Sequence, residues 1–191
     1  MNDNGYSFID YELLGIVGIN LFHTEDYRGR MVKDYSEEAL LNYGIKFVVR
    51  ESMYIHSNKS VIRGIHFQEI REQSKIVQCI SGNIWAVVVD VNPNRKTFGK
   101  WEAIDINHGK AVYIPGDYAL GTLALEESVI ACKCGEKYYQ EFDTGIKWDD
   151  PTIGIKWPSS LFGVPIISWR DESLQSFQEY IRKRSKRGKS R

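Results

Sequence analysis

The stretch Lys75-Ile76-Val77-Gln78-Cys79-Ile80, the turn Ser81-Gly82-Asn83 and the stretch Ile84-Trp85-Ala86-Val87-Val88-Val89-Asp90-Val91 decide the fold of this chain. Two runs rich in β-branched residues around a Gly/Asn turn predict a β-hairpin. The second run is apolar on both faces, which is typical of a strand that is covered on both sides. We therefore expect it inside a sandwich or closed barrel rather than at an edge.

Short apolar runs of the same kind continue along the chain. Strands are predicted at residues 45–49, 52–55, 111–114, 118–125 and 128–134. Many short strands separated by polar turns predict an all-β antiparallel sandwich or barrel. Helix signals are few: residues 36–42 begin with a Ser cap, and residues 172–183 predict a terminal helix. No repeat or interior linker interrupts the chain, so we expect a single domain over residues 1–180.

Charge and composition exclude several classes of partner. The 25 Lys and Arg residues balance the 25 Asp and Glu residues, so there is no general electrostatic case for nucleic acid or acidic membranes. Residues 181–191 are the exception, because they are basic and poor in apolar residues. They predict a tail that is disordered or at most a solvated helix end.

The cysteines and the hydropathy of the chain bear on its compartment. Cys79, Cys132 and Cys134 form no CxxC pair and no even framework, which fits a reducing cytosol. No run approaches the roughly 18 apolar residues of a membrane span, and the amino terminus has no signal-peptide pattern. The sequence therefore predicts a cytoplasmic protein without a membrane span.

One histidine stands out by its neighbours. None of the four histidines forms an HxH or HExxH motif, so no metal site is predicted. His66 follows Arg63 and Gly64, and strict strand alternation would point Arg63 and His66 in different directions unless Gly64 permits a bulge. An Arg and a His flanking a Gly at a strand end suit an anionic ligand combined with proton transfer.

Two motifs around this histidine resemble the dTDP-4-dehydrorhamnose 3,5-epimerase family: Arg63-Gly64-Ile65-His66-Phe67-Gln68 and Gln73-Ser74-Lys75-Ile76-Val77. Supporting segments occur along the chain in the order that the family shows, among them Asp26-Tyr27-Arg28-Gly29, Thr97-Phe98-Gly99-Lys100-Trp101 and Gly145-Ile146-Lys147-Trp148-Asp149-Asp150-Pro151. The resemblance implies a cupin-type jelly-roll β-barrel with short peripheral helices, commonly dimeric, that needs no metal or other cofactor. It implies an isomerase that epimerises carbons beside the ketone of a nucleotide-linked 4-keto-6-deoxy sugar.

The same resemblance assigns roles to particular residues. His66 would be the base, and Asp171 in Ile167-Ser168-Trp169-Arg170-Asp171 would fix its tautomer and favour the imidazolium. Lys75 would stabilise the enolate that forms when a proton leaves the carbon beside the ketone. Arg63 and Arg28 would bind the diphosphate through charge-assisted hydrogen bonds.

The chain also departs from the family pattern. Cys132 is the best match to the family's catalytic tyrosine, or Lys133 if the alignment has no gap, and a thiol of reference pKa about 8.5 can donate a proton. Leu120 replaces a second active-site histidine. Further expected substrate-binding positions, some of them altered from the family pattern, are Gln68, Glu51, Lys33 and Tyr138. Such replacements should change the ligand or the outcome, because a pocket discriminates strongly by its hydrogen bonds.

Three functions are compatible with these residues. The first is an epimerase that acts on a dTDP-linked or other nucleotide-linked 4-keto sugar, at one carbon or two. The second is migration of the ketone between neighbouring carbons through the same enolate. The third is a barrel that binds a sugar nucleotide without catalysis, which the loss of tyrosine and histidine favours and the retention of His66, Asp171 and Lys75 opposes. In each case we expect a nucleotide sugar as ligand and a homodimer as the assembly.

Overall fold

The predicted strands form two facing antiparallel sheets in the computed structural model, which describes residues 5–188. The order of strands in the six-stranded sheet is β1 Ser7–Asp10, β2 Val17–Asn20, β10 Lys110–Ile114, β7 Lys75–Ser81, β12 Ser128–Cys134 and β5 Glu51–Ser57. The order in the five-stranded sheet is β13 Asp143–Gly145, β6 Ile62–Gln68, β11 Tyr118–Ala124, β8 Ile84–Asp90 and β9 Trp101–Ile106. This architecture confirms the cupin-type jelly roll.

Within residues 5–188, a hairpin and four helices lie around the two sheets. The hairpin consists of β3 Phe22–Asp26 and β4 Gly29–Lys33. The helices are α1 Glu37–Tyr43, α2 Ser159–Phe162, α3 Trp169–Glu172 and α4 Phe177–Gly188. The predicted cap of α1 is confirmed, because the Ser36 hydroxyl accepts the Ala39 N–H at 3.3 Å. No helix within residues 5–188 is both long and apolar enough to cross a membrane.

The apolar pattern of β8 explains where the core lies. Ala86 and Val88 point between the sheets and pack with Val77 and Ile130 of the opposite sheet. Alternate residues of the same strand point outward, where α4 and the segment before it cover them. The prediction that this run is covered on both faces is therefore confirmed.

Two local predictions about strands are wrong. The strands β7 and β8 do not form a hairpin, because the turn at Gly82 carries the chain from the six-stranded to the five-stranded sheet. Strand β7 pairs with β10 and β12 instead, and β8 pairs with β11 and β9. Residues 45–49 form no strand, although Ile45 and Phe47 are buried in the cluster that includes Leu40 of α1.

Of the two alternatives for the basic end of the chain, a disordered tail or a solvated helix end, the structure shows a helix end as far as residue 188. Helix α4 begins after a capping box in which Ser176 and Glu179 bond reciprocally, and it continues to residue 188. Arg184 donates to the Tyr180 hydroxyl at 2.8 Å, and Lys183 donates to the side chain of Gln175 at 2.8 Å. These contacts hold residues 181–188 as a helix end, whereas residues 189–191 lie outside the described part of the chain.

Candidate active site

A cavity of about 590 Å³ opens between the two sheets. The polar residues that line it are Arg63, His66, Gln68, Gln73, Lys75, Thr122, Tyr138, Asp143, Ser168, Arg170 and Asp171. The apolar and sulfur-containing residues that line it are Met53, Ile55, Phe67, Val77, Leu120, Ile130, Cys132 and Cys134. Strand β6 brings His66 to this cavity from one sheet, and β7 and β12 bring Lys75 and Cys132 from the other.

The histidine and its predicted carboxylate partner are in direct contact. His66 Nε2 lies 2.8 Å from Asp171 Oδ1, although the two residues are 105 positions apart in the chain. Because a carboxylate only accepts, Nε2 carries the proton of this bond and Nδ1 keeps the lone pair. The predicted pairing of His66 with Asp171 therefore has the geometry of an oriented base.

Backbone contacts explain how so distant a residue reaches the site. Ile62 N–H donates to the Ile166 carbonyl at 3.0 Å, which draws the segment before α3 against β6. The hydroxyl of Ser168 caps α3 by accepting the Asp171 N–H at 3.1 Å. The second carboxylate oxygen of Asp171 accepts the Gly64 N–H at 3.0 Å, so both oxygens are held.

The bulge predicted at Gly64 is present. Leu120 pairs with His66, and Thr122 pairs with Arg63. The two pairs are separated by two residues along β11 but by three along β6, so β6 contains one extra residue, which is a β-bulge. Gly64 has a φ of 101°, and a Cβ there would lie 2.5 Å from the Leu120 carbonyl oxygen. The bulge allows Arg63 and His66 to line the same cavity.

Competing effects act on the pKa of Asp171. Burial alone raises it, but the hydrogen bonds from His66 and Gly64, together with the positive charge of Arg170, outweigh burial and leave the pKa below its usual value. The carboxylate therefore stays ionised beside the imidazole at neutral pH. An anion in this position stabilises the imidazolium that forms when His66 takes a proton.

Lys75 lies half-buried at the start of β7. Its Nζ donates to the Gln73 carbonyl at 3.0 Å. Burial lowers the pKa of Lys75, while the neighbouring thiols and Asp143 act in the opposite direction. A poorly solvated ammonium of this kind gains from an anion placed next to it, as an enolate oxygen would be.

Strand β12 brings two cysteines, but not Lys133, to the cavity. Cys132 and Cys134 face the cavity with their Sγ atoms 3.8 Å apart. Lys133 points to the other side of the sheet, where its Nζ lies 2.5 Å from Asp34 Oδ2. Of the two residues considered for the position of the family's tyrosine, Cys132 therefore lines the cavity, whereas Lys133 does not.

The two thiols differ in acidity because they share a hydrogen bond. This bond raises the pKa of Cys132 well above its usual value, and burial adds to the effect. The same bond lowers the pKa of Cys134, assisted by Lys75 and opposed by burial. The thiol of Cys132 is therefore the less acidic of the two.

Two further predicted residues, Arg63 and Gln68, line the cavity but already have partners in the protein. Arg63 lines the cavity while it donates to Ser57 Oγ at 3.0 Å and to the His56 carbonyl at 2.9 Å. Gln68 also lines it, but its amide donates to the Arg71 and Lys137 carbonyls and accepts the Tyr139 N–H. These three bonds assign Gln68 to holding loops, which leaves little of the amide for a ligand.

Of three further predicted positions, two line the cavity and the third contacts one of them. Tyr138 is half exposed and lines the cavity, and its hydroxyl donates to Asp143 at 3.1 Å. Glu51 is not among the lining residues, and it accepts the Tyr138 N–H at 3.0 Å. Leu120 lines the cavity beside His66, its cross-strand partner.

Arg28 and Lys33 lie outside the cavity of this chain. Both belong to the β3–β4 hairpin, where Arg28 pairs with Asp26 at 2.6 Å and is largely exposed. The Lys33 ammonium lies 5.8 Å from the centre of the Phe22 ring. The structure does not bring these two residues together with His66.

Several residues at the site carry no sequence signal for a role. Asp143 accepts from Tyr138 and from the Arg170 guanidinium, and all three side chains line the cavity. Gly145 lies opposite His66, where a Cβ would lie 3.1 Å from His66 Cδ2 and 2.5 Å from the Ile65 carbonyl oxygen. Only the presence of Gly145 in a quoted motif marked it in advance.

The described residues contain no group of three or more His, Cys, Asp and Glu side chains that could hold a metal ion. The groups that the chain itself brings to the cavity include an imidazole held by a carboxylate, a half-buried ammonium and two thiols. An imidazole and a thiol on opposite walls of one cavity are groups of the kind that proton-transfer enzymes use.

Comparison with known proteins agrees with the fold and with this class of site, that of a cupin-type carbohydrate epimerase. The sequence model of the family described as dTDP-4-dehydrorhamnose 3,5-epimerase matches residues 10–179. The chain belongs to this family, and it is a nucleotide-sugar epimerase.

Individual relatives cover nearly all of the chain. The dTDP-4-dehydrorhamnose 3,5-epimerase of Methanothermobacter thermautotrophicus is 34% identical and covers 91% of this chain and 96% of its own length. A 3,5-epimerase of Legionella pneumophila, solved with dTDP-4-keto-L-rhamnose, is 25% identical with a TM-score of 0.86, covering 91% and 93% of the two chains. ChmJ, a 3'-monoepimerase of Streptomyces bikiniensis solved with dTDP-quinovose, is 28% identical with a TM-score of 0.83, covering 90% and 88%.

Proposed function

We propose that this enzyme inverts a carbon beside the ketone of a dTDP-linked 4-keto-6-deoxy sugar, with His66 as base and Cys132 as acid. The observation that carries the proposal is the contact of His66 with Asp171, which leaves Nδ1 free at the cavity. Complexes of the Legionella and Streptomyces relatives with dTDP-sugars support the choice of nucleotide.

The proposed reaction has two proton transfers. His66 Nδ1 takes the proton from the carbon beside the ketone, and the electron pair moves to the ketone oxygen next to the Lys75 ammonium. The thiol of Cys132 then gives its proton to the opposite face of the same carbon. The positive charge of Lys75 favours the resulting thiolate, and exchange with solvent restores both groups.

The position of the acid limits the number of sugar carbons at which the configuration can be inverted. A cysteine side chain is shorter than a tyrosine, so the thiol reaches less of the ring than a phenol would from the same strand. Inversion at a single carbon is the proposed outcome, and ChmJ is a family relative described as a monoepimerase. Ketone migration remains the second candidate, because it uses the same enolate.

A homodimer gives the hairpin arginine a role. Arg28 has its side chain 75% exposed on the β3–β4 hairpin and is not among the residues that line the cavity of its own chain. We propose that Arg28 contacts the diphosphate across a dimer interface, whereas Arg63 contacts it within the chain. A cytoplasmic location belongs to the same proposal, because nucleotide sugars are made in the cytoplasm.

Deuterium exchange tests the proposed function. dTDP-4-keto-6-deoxyglucose is incubated with the enzyme in D2O, and exchange at C3 and C5 is followed by NMR together with the configuration of the product. We expect exchange and inversion at one of the two carbons, and neither with the His66→Asn variant. Absence of exchange at both carbons with every nucleotide tested overturns the proposal, and a 3-keto product identifies ketone migration.

A further inference from the structure

We infer that the sugar handled at this site is deoxygenated in the ring: a nucleotide-linked 4-keto sugar that lacks its C2 or C3 hydroxyl. The inference rests on the proposed function and concerns the substrate of that site. It comes from the wall of the cavity that faces His66, which β5, β7 and β12 build together.

The strand register arranges this wall in rows. Met53, Cys132 and Val77 are aligned across the three strands, and Ile55 and Ile130 are aligned in the next row. Lys75 is aligned with Cys134 at one end. The residues of these three strands that line the cavity are apolar, apart from the two thiols and Lys75.

Next to the base, the wall presents the aliphatic side chain of Leu120, and the polar side chains of Thr122 and Arg63 lie further along the same two strands. Leu120 and His66 are directly opposed on neighbouring antiparallel strands, so their side chains lie side by side. The carbon that gives its proton to His66 therefore has an aliphatic side chain beside it. A hydroxyl that points from that carbon toward Leu120 would meet no hydrogen-bonding group there.

The C5 methyl group of an ordinary 4-keto-6-deoxy sugar does not account for so large a surface. Neighbouring strands lie about 4.8 Å apart, so three strands make a wall about 10 Å wide, which is the breadth of a substituted hexose ring. Lys75 is already assigned to the ketone oxygen. A ring hydroxyl pressed against the rest of the wall loses its water without gaining a partner.

Competition between sugar nucleotides tests the inference. The probes are dTDP-4-keto-6-deoxyglucose, its 2-deoxy analogue and its 3-deoxy analogue, and both affinity by calorimetry and exchange in D2O are measured for each. We expect at least one deoxy analogue to exceed the parent sugar in kcat/KM by about 10-fold to 100-fold, the range in which apolar pockets discriminate. Preference for the parent over both analogues overturns the inference.

Matched variants locate the preference in the wall. Leu120→Asn and Met53→Gln introduce amides and should shift the preference toward the parent sugar, whereas Leu120→Met and Met53→Leu should preserve the ratio. A ratio that does not respond to either amide also overturns the inference. If an analogue binds more tightly but no sugar exchanges, the inference about the pocket stands and the proposed epimerisation fails, so the two failures are distinguishable.

Discussion

The Sγ atoms of Cys132 and Cys134 lie 3.8 Å apart on one face of β12, and both thiols line the cavity that His66 enters from the opposite sheet. Alternation along the strand puts residues 132 and 134 on the same side, so the pair follows from the i, i+2 spacing. The shared hydrogen bond keeps Cys132 protonated, because it raises the pKa of that thiol. An acid that stays protonated at neutral pH is what the second half of an inversion requires.

Removal of this acid should separate inversion from exchange. We expect Cys132→Ala to lower the rate of epimer formation by about 10² to 10⁴, the usual contribution of a positioned acid. Exchange of the proton that faces His66 should persist, because the base is untouched. NMR in D2O measures both. Cys79→Ala is the control, since that thiol is buried outside the cavity lining, and unimpaired inversion by Cys132→Ala would show that another group is the acid.

His66 and Asp171 should behave as one unit. His66→Gln and Asp171→Asn are each expected to lower kcat by about 10² to 10⁴. The double variant should be little worse than either single variant, because each change already removes the oriented base. Steady-state kinetics of the four proteins measure the coupling. Effects that multiply in the double variant would mean that the two residues act independently.

The lowered pKa of Asp171 also predicts a pH-dependent contribution to stability. The folded-state pKa lies below the unfolded value of about 3.9, so the carboxylate stabilises the fold above that pH and loses this effect as the pH falls through the folded pKa. The free energy of unfolding of the wild type should therefore exceed that of Asp171→Asn by more at pH 7 than at pH 3. Urea unfolding at the two pH values measures the difference, and a difference independent of pH would contradict it.

Local patterns in the sequence predicted most strands, because the order of apolar and polar residues in each run shows whether one face or both faces are buried. The apolar stretch 84–91 indicated a covered strand, and Ser36 indicated the start of α1. The partner of a strand is not local information. The turn at Gly82 is equally compatible with a hairpin and with a crossing between sheets, and only the packing of the whole jelly roll selects the crossing.

The same distinction applies to the site. The family resemblance brought His66 and Asp171 together across 105 residues, which spacing alone could not do. The Asp143–Arg170 pair went unnoticed because Asp143 lies in no quoted motif and the segment that contains Arg170 pointed only to Asp171. The commitment of Gln68 to three backbone groups depends on loops that converge only in the folded chain.

Lys133 points away from the cavity and pairs with Asp34, and we expect substitutions of these two residues to have unequal effects on stability. Lys133 is buried and pairs with Asp34, whose side chain is 41% exposed. Asp34→Asn leaves the ammonium without its anion and should cost about 1 kcal/mol of unfolding free energy, the lower end of the range for an unsatisfied buried donor. Lys133→Met removes the charge together with the need for a partner and should be nearly neutral. Urea unfolding compares them.

The control for this pair is Asp26→Asn, which breaks the exposed pair with Arg28 and should leave stability unchanged within error. Equal losses in Asp34→Asn and Lys133→Met would contradict the asymmetry, since they would mean that the ion pair itself stabilises the fold.

We expect the Lys75 ammonium to lower the stability of the fold and to support the reaction. Its pKa is lowered by burial, so the folded state holds an ammonium that the unfolded chain would solvate better. We expect Lys75→Met to raise the free energy of unfolding at pH 7 by about 0.5–2 kcal/mol, as removal of strained active-site groups does. This gain should shrink as the pH rises through the folded pKa toward the unfolded value of about 10.4, because the wild type then loses the charge in both states.

The same variant should lose about 10² to 10³ in kcat/KM, the usual effect of removing one group that stabilises a developing oxyanion. Denaturant unfolding at pH 7 and pH 10 and exchange kinetics in D2O measure the two effects. Lys110→Met makes the same substitution at an exposed position of β10 and should change neither by much. If Lys75→Met gains stability and keeps its exchange rate, Lys75 is a buried charge without a part in the reaction, and the enolate must be stabilised by another group of the cavity.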